Sequence, residues 1–209
     1  LEVTNSQFGL FDPYHDSRFV AGRGKDRFTR GYPVNQPEQP VVRVTYLQAK
    51  AFCEWLTTKT GAVCRLPTEQ QWEYACKAGS STLWPNGDDP KNAGNRANIS
   101  DASLTRWNWG RCEKEINDGA RFSVPGGKYP ANAWGLHDMI GNVAEWTASD
   151  YAPGTSLKVV RGGSWNDTLR YARSSSRWRY AAHQPVYNVG FRVLCEAPAP
   201  TGKARARAR

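Results

Sequence analysis

Between Ser80 and Trp134 the chain is dense in glycine, asparagine, aspartate and proline, with only short apolar pieces. A connection of that length without regular structure is uncommon inside a compact domain, so something else must order it, and bound metal is one candidate. The stretch predicts an irregular, loop-rich fold. Composition agrees: 19 glycines, 13 prolines and 9 tryptophans, with a mean hydropathy of −0.68, describe a compact chain held by aromatic anchors rather than long aliphatic helices. At 209 residues one domain is the expectation, with a sizeable core.

Two segments break the irregular pattern. In VVRVTYLQAKAFCEWLTTKTG the apolar residues first alternate and then change period: Thr45 and Gln48 form a capping box, Ala49, Phe52, Cys53 and Leu56 share one helical face, and Gly61 stands where a helix stops. RLPTEQQWEYACKAG repeats the device with Thr68 and Gln71, an inner stripe of Trp72, Ala75 and Cys76, and Gly79 at the end. Cys53 and Cys76 are therefore read as core residues. Strand-like runs follow in SLKVVRGG and YNVGFRVLCE, where Val189, Phe191 and Val193 alternate with Gly190, Arg192 and Leu194. The predicted order is a damaged N-terminal strand, two helices, a long loop region and short terminal strands. No repeat is visible at a fixed period.

The net charge is +9, but KARARAR at the C-terminus (Lys203 to Arg209) supplies four of those positives and leaves +5 for the rest. Preceded by the proline-rich APAPTG, this tail is expected to be a flexible basic arm able to contact an acidic surface. No motif supports nucleic-acid recognition. No window approaches about 18 consecutive apolar residues, so no membrane-spanning helix is expected. The chain opens on Leu1 with neither a charged n-region nor an apolar signal core. Cys53, Cys64, Cys76, Cys112 and Cys195 show no zinc spacing, and their odd number allows two disulfides plus a thiol or five reduced thiols.

EVTNSQF, RLPTEQQWEYACKAG, NAWGLHDMIGNVAEW, RGGSW and NVGFRV stand in the order and spacing of one family. Through them the chain resembles the formylglycine-generating enzymes, also called the sulfatase-modifying-factor domain, over residues 1–197, leaving 198–209 as the tail. The resemblance implies an α+β fold, compact and loop-rich, similar to an elaborated C-type lectin, with two main helices and short antiparallel strands. It also implies that a leading family segment is missing before Leu1, and that Cys195 forms a disulfide with Cys76.

The same resemblance gives the long loop region a purpose. It implies structural calcium, one or two ions, held by Asn98, Ile99, Asp118 and Ala120 and by Asn142, Val143 and Glu145. That donor set is chemically sound, since Ca²⁺ takes about six to eight oxygens from carboxylates, amides and carbonyls. Against it stands the plainer reading that Asn142 and Glu145 only cap turns. Catalytic relatives bind copper(I) through two cysteines after RGGS. Here those positions are Asp167 and Ala172, and neither can replace a thiolate on a soft d¹⁰ ion. No copper is expected, and the site is read as degenerate.

Other chemistries find less support. A related branch uses three histidines for iron, but His15, His137 and His183 lack a HxxxH helix; His137 reads as packed and His15 as a loop residue. Ser164 lies in GGSW rather than GxSxG, so a nucleophile elbow is not indicated. Arg161, Arg170, Arg173, Arg177 and Arg179 are interleaved with Trp165, Tyr171, Trp178 and Tyr180, which suits an acidic or extended peptide ligand through pairing and stacking. Part of the cluster is expected to brace the fold instead, with Arg173 and Arg177 pairing core carboxylates such as Glu145.

Three functions fit these readings. The first is a non-catalytic, calcium-stabilised domain that binds a protein or peptide partner through Trp165, Asp167, Arg170, Tyr171, Trp178, Arg179 and Tyr180, as an accessory or scaffold subunit. The second is an oxidase or oxygenase working without the cysteine pair, through Asp167, Tyr171 and Trp165. The third is a lectin-like ligand-display protein presenting Asn166 to Asn188. The resemblance favours a periplasmic or extracellular location.

Overall fold

The computed structural model describes residues 1–21, 24–27, 31–107 and 112–196, so the basic tail, 198–209, lies outside the described residues. The first half holds α1 (Asn5–Gly9), β1 (Phe19–Ala21), β2 (Gly24–Arg27), β3 (Tyr32–Pro33), α2 (Tyr46–Thr60), β4 (Cys64–Arg65), α3 (Glu69–Lys77), α4 (Pro90–Gly94) and a 3₁₀ turn at Ala102–Trp107. The second half holds β5 (Ala144–Asp150), β6 (Leu157–Arg161), β7 (Trp178–Ala181), β8 (Val189–Gly190) and β9 (Leu194–Cys195). The strands form three small sheets, ordered β2-β1-β3, β4-β9 and β7-β6-β5-β8. All the pairings are antiparallel except β5 with β8. Among the described residues no helix is long and apolar enough to cross a membrane.

Both predicted helices form where their caps place them. Thr45 accepts from Gln48 N–H and Gly61 closes α2 at φ 72°, while Thr68 caps α3 in the same way and Ala78 ends it, left-handed at φ 46°. The first departure is at the N-terminus. EVTNSQF, for which no element is predicted, carries a third capping box, Thr4 with Gln7, and makes the short helix α1. The second concerns Val41, Val42 and Val44, whose alternation predicts a strand. Arg43 takes a left-handed φ of 59°, which ends the pleat, so Val41 and Val44 enter one apolar cluster and Val42 another. Their main-chain groups bond singly to neighbouring segments, Val41 N–H to Val3 O and Arg43 N–H to Val186 O.

The largest cluster is aromatic. Phe52 of α2 lies 5.5 Å from Phe8, 5.4 Å from Phe191 and 5.4 Å from Trp55, tying the N-terminal helix and the C-terminal segment to one ring. Replacing a ring so placed by alanine typically costs about 3–5 kcal/mol. YNVGFRVLCE, expected as one strand, splits into β8 and β9 because the carbonyl of Phe191 turns to accept from Val3 N–H.

The disulfide corrects a further expectation. Cys195 bonds to Cys64, not Cys76, because β4 and β9 pair with Cys64 directly opposite Cys195. Cys76 lies on the buried face of α3, against Met139 O. Cys53, Cys76 and Cys112 are free, the first two buried.

The long loop region is held by side chains bonding to main chain. Asp101 accepts from the N–H groups of Ser103 (2.8 Å) and Asp118 (2.5 Å), and Asp118 in turn accepts from Ile99 (2.8 Å) and Ala120 (2.7 Å). Asn132 accepts from Trp134 and Leu136 N–H, and Asp89 caps α4. These Asx-type bonds do locally what a strand ladder does elsewhere. Between them Ala97, Ile99 and Ile116 reach a core cluster shared with Trp72 of α3.

Candidate functional site

The RGGSW segment leaves the end of β6 at Arg161. Gly162 and Gly163 take φ of 91° and 68°, and a Cβ on Gly163 would lie 3.0 Å from the Ala172 methyl. Packing therefore accounts for the paired glycines. Arg161 is buried, with its guanidinium 5.5 Å from the Trp72 ring, and donates to the carbonyls of Ser174 (3.0 Å), Ser175 (3.0 Å) and Ser176 (2.8 Å) while pairing with Glu73. It shapes the loop before β7 and is closed to a ligand.

At the copper positions, Ala172 is fully buried and Asp167 is partly exposed. Ser164 Oγ donates to Asp167 Oδ2 at 2.6 Å and accepts from Asn188 Nδ2 at 2.7 Å, and Asn166 Nδ2 donates to the Tyr187 hydroxyl at 2.7 Å. The segment thus holds a carboxylate, a hydroxyl and amides within hydrogen-bonding reach, with hard oxygen donors only. Trp165, expected at a ligand surface, is fully buried and packs edge-on to Phe122 at 4.8 Å and Tyr187 at 5.8 Å. It belongs to the core because the two glycines turn the chain inward before it.

Arg170, Trp178 and Arg179 are exposed and Tyr171 partly so, with Trp178 and Arg179 on opposite sides of β7. The Tyr171 and Trp178 rings meet edge-on at 5.1 Å, Arg170 lies 5.8 Å from the Tyr171 ring, and Arg177 and Arg179 stand 4.7 Å and 4.6 Å from the Tyr151 ring. Tyr180 is half-buried against Trp146. Arg177 is held by Glu69, not Glu145. The carboxylate of Glu145 is instead taken by Arg192, at 2.6 Å to each oxygen, and by Trp72 Nε1 at 2.6 Å. The expected pairing fails because Glu145 points into the core from β5, where Arg192 is buried beside it.

Of the expected calcium ligands, Asn98, Ile99, Asp118 and Ala120 lie together. Burial and the facing Asp101 push the Asp118 carboxyl up to about 7, against hydrogen bonds from Ile99 and Ala120. The Asn98 amide donates to Phe122 O (2.9 Å) and Asn142 Oδ1 (3.1 Å), while its own Oδ1 is buried with no hydrogen-bond partner among the described residues. An orphaned amide oxygen and a carboxylate strained by burial fit a hard cation. Asn142, Val143 and Glu145 fit one less well. Asn142 Oδ1 accepts from Asn98 and Val124, and the Glu145 oxygens are engaged by a guanidinium that already supplies the positive charge.

Sequence reasoning missed the groups around that pair. Glu2 is buried and accepts from Asn142 Nδ2 at 3.1 Å, and burial, then Asp138 and Glu145, push its carboxyl up to about 8. Arg192 also donates to the carbonyls of His137 (3.2 Å) and Asp138 (3.3 Å). Glu2 and Arg192 sit inside EVTN and GFRV, two of the motifs that carry the resemblance, so a signal was present without a role attached. The histidines do not converge: His137 Nδ1 bonds Tyr129 O, while His15 and His183 line an open groove of about 500 Å³ with Asp12, Asp16, Arg18 and Arg43.

The sulfatase-modifying factor enzyme 1-like domain matches residues 1–197. The chain belongs to that family. A curated relative from Bos taurus, the inactive C-alpha-formylglycine-generating enzyme 2, is 34% identical over 79% of this chain and 53% of its own. The formylglycine-generating enzyme of Mycobacterium tuberculosis is 40% identical over 75% of this chain and 57% of its own. The chain thus spans about half the length of these relatives. Among solved structures, PvdO from Pseudomonas aeruginosa superposes with a TM-score of 0.67 at 30% identity, over 78% of this chain and 64% of that one. The α+β, loop-rich fold is therefore the family's own, as the motifs predict.

Proposed function

We propose that this chain is a non-catalytic, calcium-stabilised member of the family that binds a protein or peptide partner through its exposed arginine and aromatic face. The observation that carries the reading is the pair at the copper positions, a serine-bonded Asp167 and a buried Ala172, in a chain that matches the family over residues 1–197. A relative named as inactive supports the same direction. Calcium is assigned to Asn98, Ile99, Asp118 and Ala120, where it would supply charge to a buried carboxylate and closure to the loop region. The Cys64–Cys195 bond supports a periplasmic or extracellular location, where such bonds persist. The test is size-exclusion chromatography of a native extract with mass spectrometry of what co-elutes. A fixed partner at a size well above 23.4 kDa is expected; elution alone at that mass sinks the accessory role.

A second reading rests on a separate observation. Asp167 is partly exposed beside Ser164, Asn166 and Tyr187, a polar group able to orient a substrate for oxidation without thiols. Its signature is oxygen consumption by the purified chain that disappears in Asp167→Ala. Equal consumption by both removes it.

A further inference from the structure

The sheet β7-β6-β5-β8 has an open side. Strand β7 lies at its edge and, among the described residues, pairs only with β6, in the register Lys158 with Tyr180 and Val160 with Trp178. Ala182 N–H donates to Ser156 O at 2.9 Å. Residues of the same parity, Tyr180 and Trp178, therefore exchange their main-chain bonds with β6, and antiparallel geometry turns the N–H and C=O of Arg179 away from it. Among the described residues no hydrogen bond reaches either group. Ala181 N–H points the same way, while its carbonyl is taken by Gln184 N–H.

The surroundings of this edge are cationic and aromatic. Arg170 and Arg179 are exposed, and among the described residues neither has an ion-pair partner. The nearby carboxylates of Glu69 and Asp150 are already held by Arg177 and Lys158. Trp178 remains 38% exposed beside Tyr171, enough to cover an apolar side chain, and Tyr151 backs the Arg179 guanidinium on the other flank. An open edge gives main-chain affinity without sequence choice, and the flanking charges and rings add selectivity for acidic and apolar side chains.

We propose that the free edge of β7 takes up an extended acidic segment of a partner protein as an added strand, bonded to the main chain of Arg179 and paired with the side chains of Arg170 and Arg179. The inference rests on the partner-binding reading above and assigns that partner's chemistry. Without it, charge on an edge strand serves only to block unwanted pairing.

The probe is a short fluorescein-labelled peptide of alternating glutamate and valine, titrated with the intact chain and followed by anisotropy. A matched peptide with every main-chain amide methylated keeps the charges and loses the donors. Saturable binding of the parent is expected, weakened at least about tenfold by methylation, by Arg179→Glu and by raised salt. Both Arg179→Glu and Arg170→Glu change exposed side chains, and an unchanged melting temperature confirms folding. Equal affinity for the two peptides overturns strand addition and leaves a charge-based partner site standing. No binding of the parent overturns it as well, and the native extract then separates the readings: a partner retained by Arg179→Glu keeps the accessory role elsewhere on the surface, and no partner at all ends both.

Discussion

Replacing Arg192 by methionine tests how the core tolerates its charges. The guanidinium is the cation hydrogen-bonded to both oxygens of Glu145, with Glu2 and Asp138 as its other acidic neighbours. Among the described residues, Arg192→Met leaves Glu145 as a buried charge held only by Trp72 Nε1 and frees two carbonyls, that of Asp138 buried and that of His137 part-buried. Breaking one side of a buried pair costs about 3–5 kcal/mol. For a domain with about 5–15 kcal/mol in total, that is a large fraction. Adding Glu145→Gln removes the stranded charge while keeping an acceptor for Trp72, so the double variant should recover about 2 kcal/mol, with the carbonyl loss remaining. Urea denaturation followed by tryptophan fluorescence, with the disulfide intact, measures both variants. A single variant within about 1 kcal/mol of the parent, or a double variant less stable than the single, refutes the reasoning.

Non-reducing peptide mapping should recover Cys64 joined to Cys195, and reduction should cost about 4–5 kcal/mol, the chain-entropy value for a loop closed over 131 residues; a Cys76–Cys195 peptide contradicts the fold. Burial pushes the Cys53 and Cys76 thiols up to about 12, so native alkylation should spare both, and rapid labelling of either means that the core is open. Burial also lowers the pKa of His15, against the opposing bond to Val42 O, so the unfolded chain takes up its proton first as pH falls. Stability from His15 is thus complete above about pH 6.5 and lost below it, and thermal melts from pH 7 to pH 5 should fall more steeply for the parent than for His15→Gln; parallel curves count against it. Calcium should raise the melting temperature and EGTA lower it, with Asp118→Asn flattening the response; an indifferent parent removes calcium from the account.

The helices were legible because their signals are local. T-x-x-Q at Thr45 and Thr68 names the first residue of each helix, and the same signature at Thr4 was there to be read in α1. The strand expected at Val41 to Val44 was not recoverable, since the left-handed Arg43 is imposed by contacts far along the chain, including Val186 O and Ser17 O. The disulfide depended on register: Cys64 meets Cys195 only once β4 and β9 pair. At the site, the missing thiols were visible residue by residue, whereas the burial of Trp165 and the pairing of Glu145 with Arg192 follow from how distant segments pack. The long loop region proved to be ordered by Asp101, Asp118, Asn132 and Asn142, each bonding main chain within its own neighbourhood or across to a facing loop.

The central claim is that the scaffold persists without its oxidative chemistry. The most direct measurement incubates the purified chain with a cysteine-bearing sulfatase-type peptide, copper(I), oxygen and reductant, and follows the peptide by mass spectrometry. The account predicts unchanged cysteine, because Asp167 and Ala172 present no thiolate to copper. Turnover to formylglycine by this chain would contradict it.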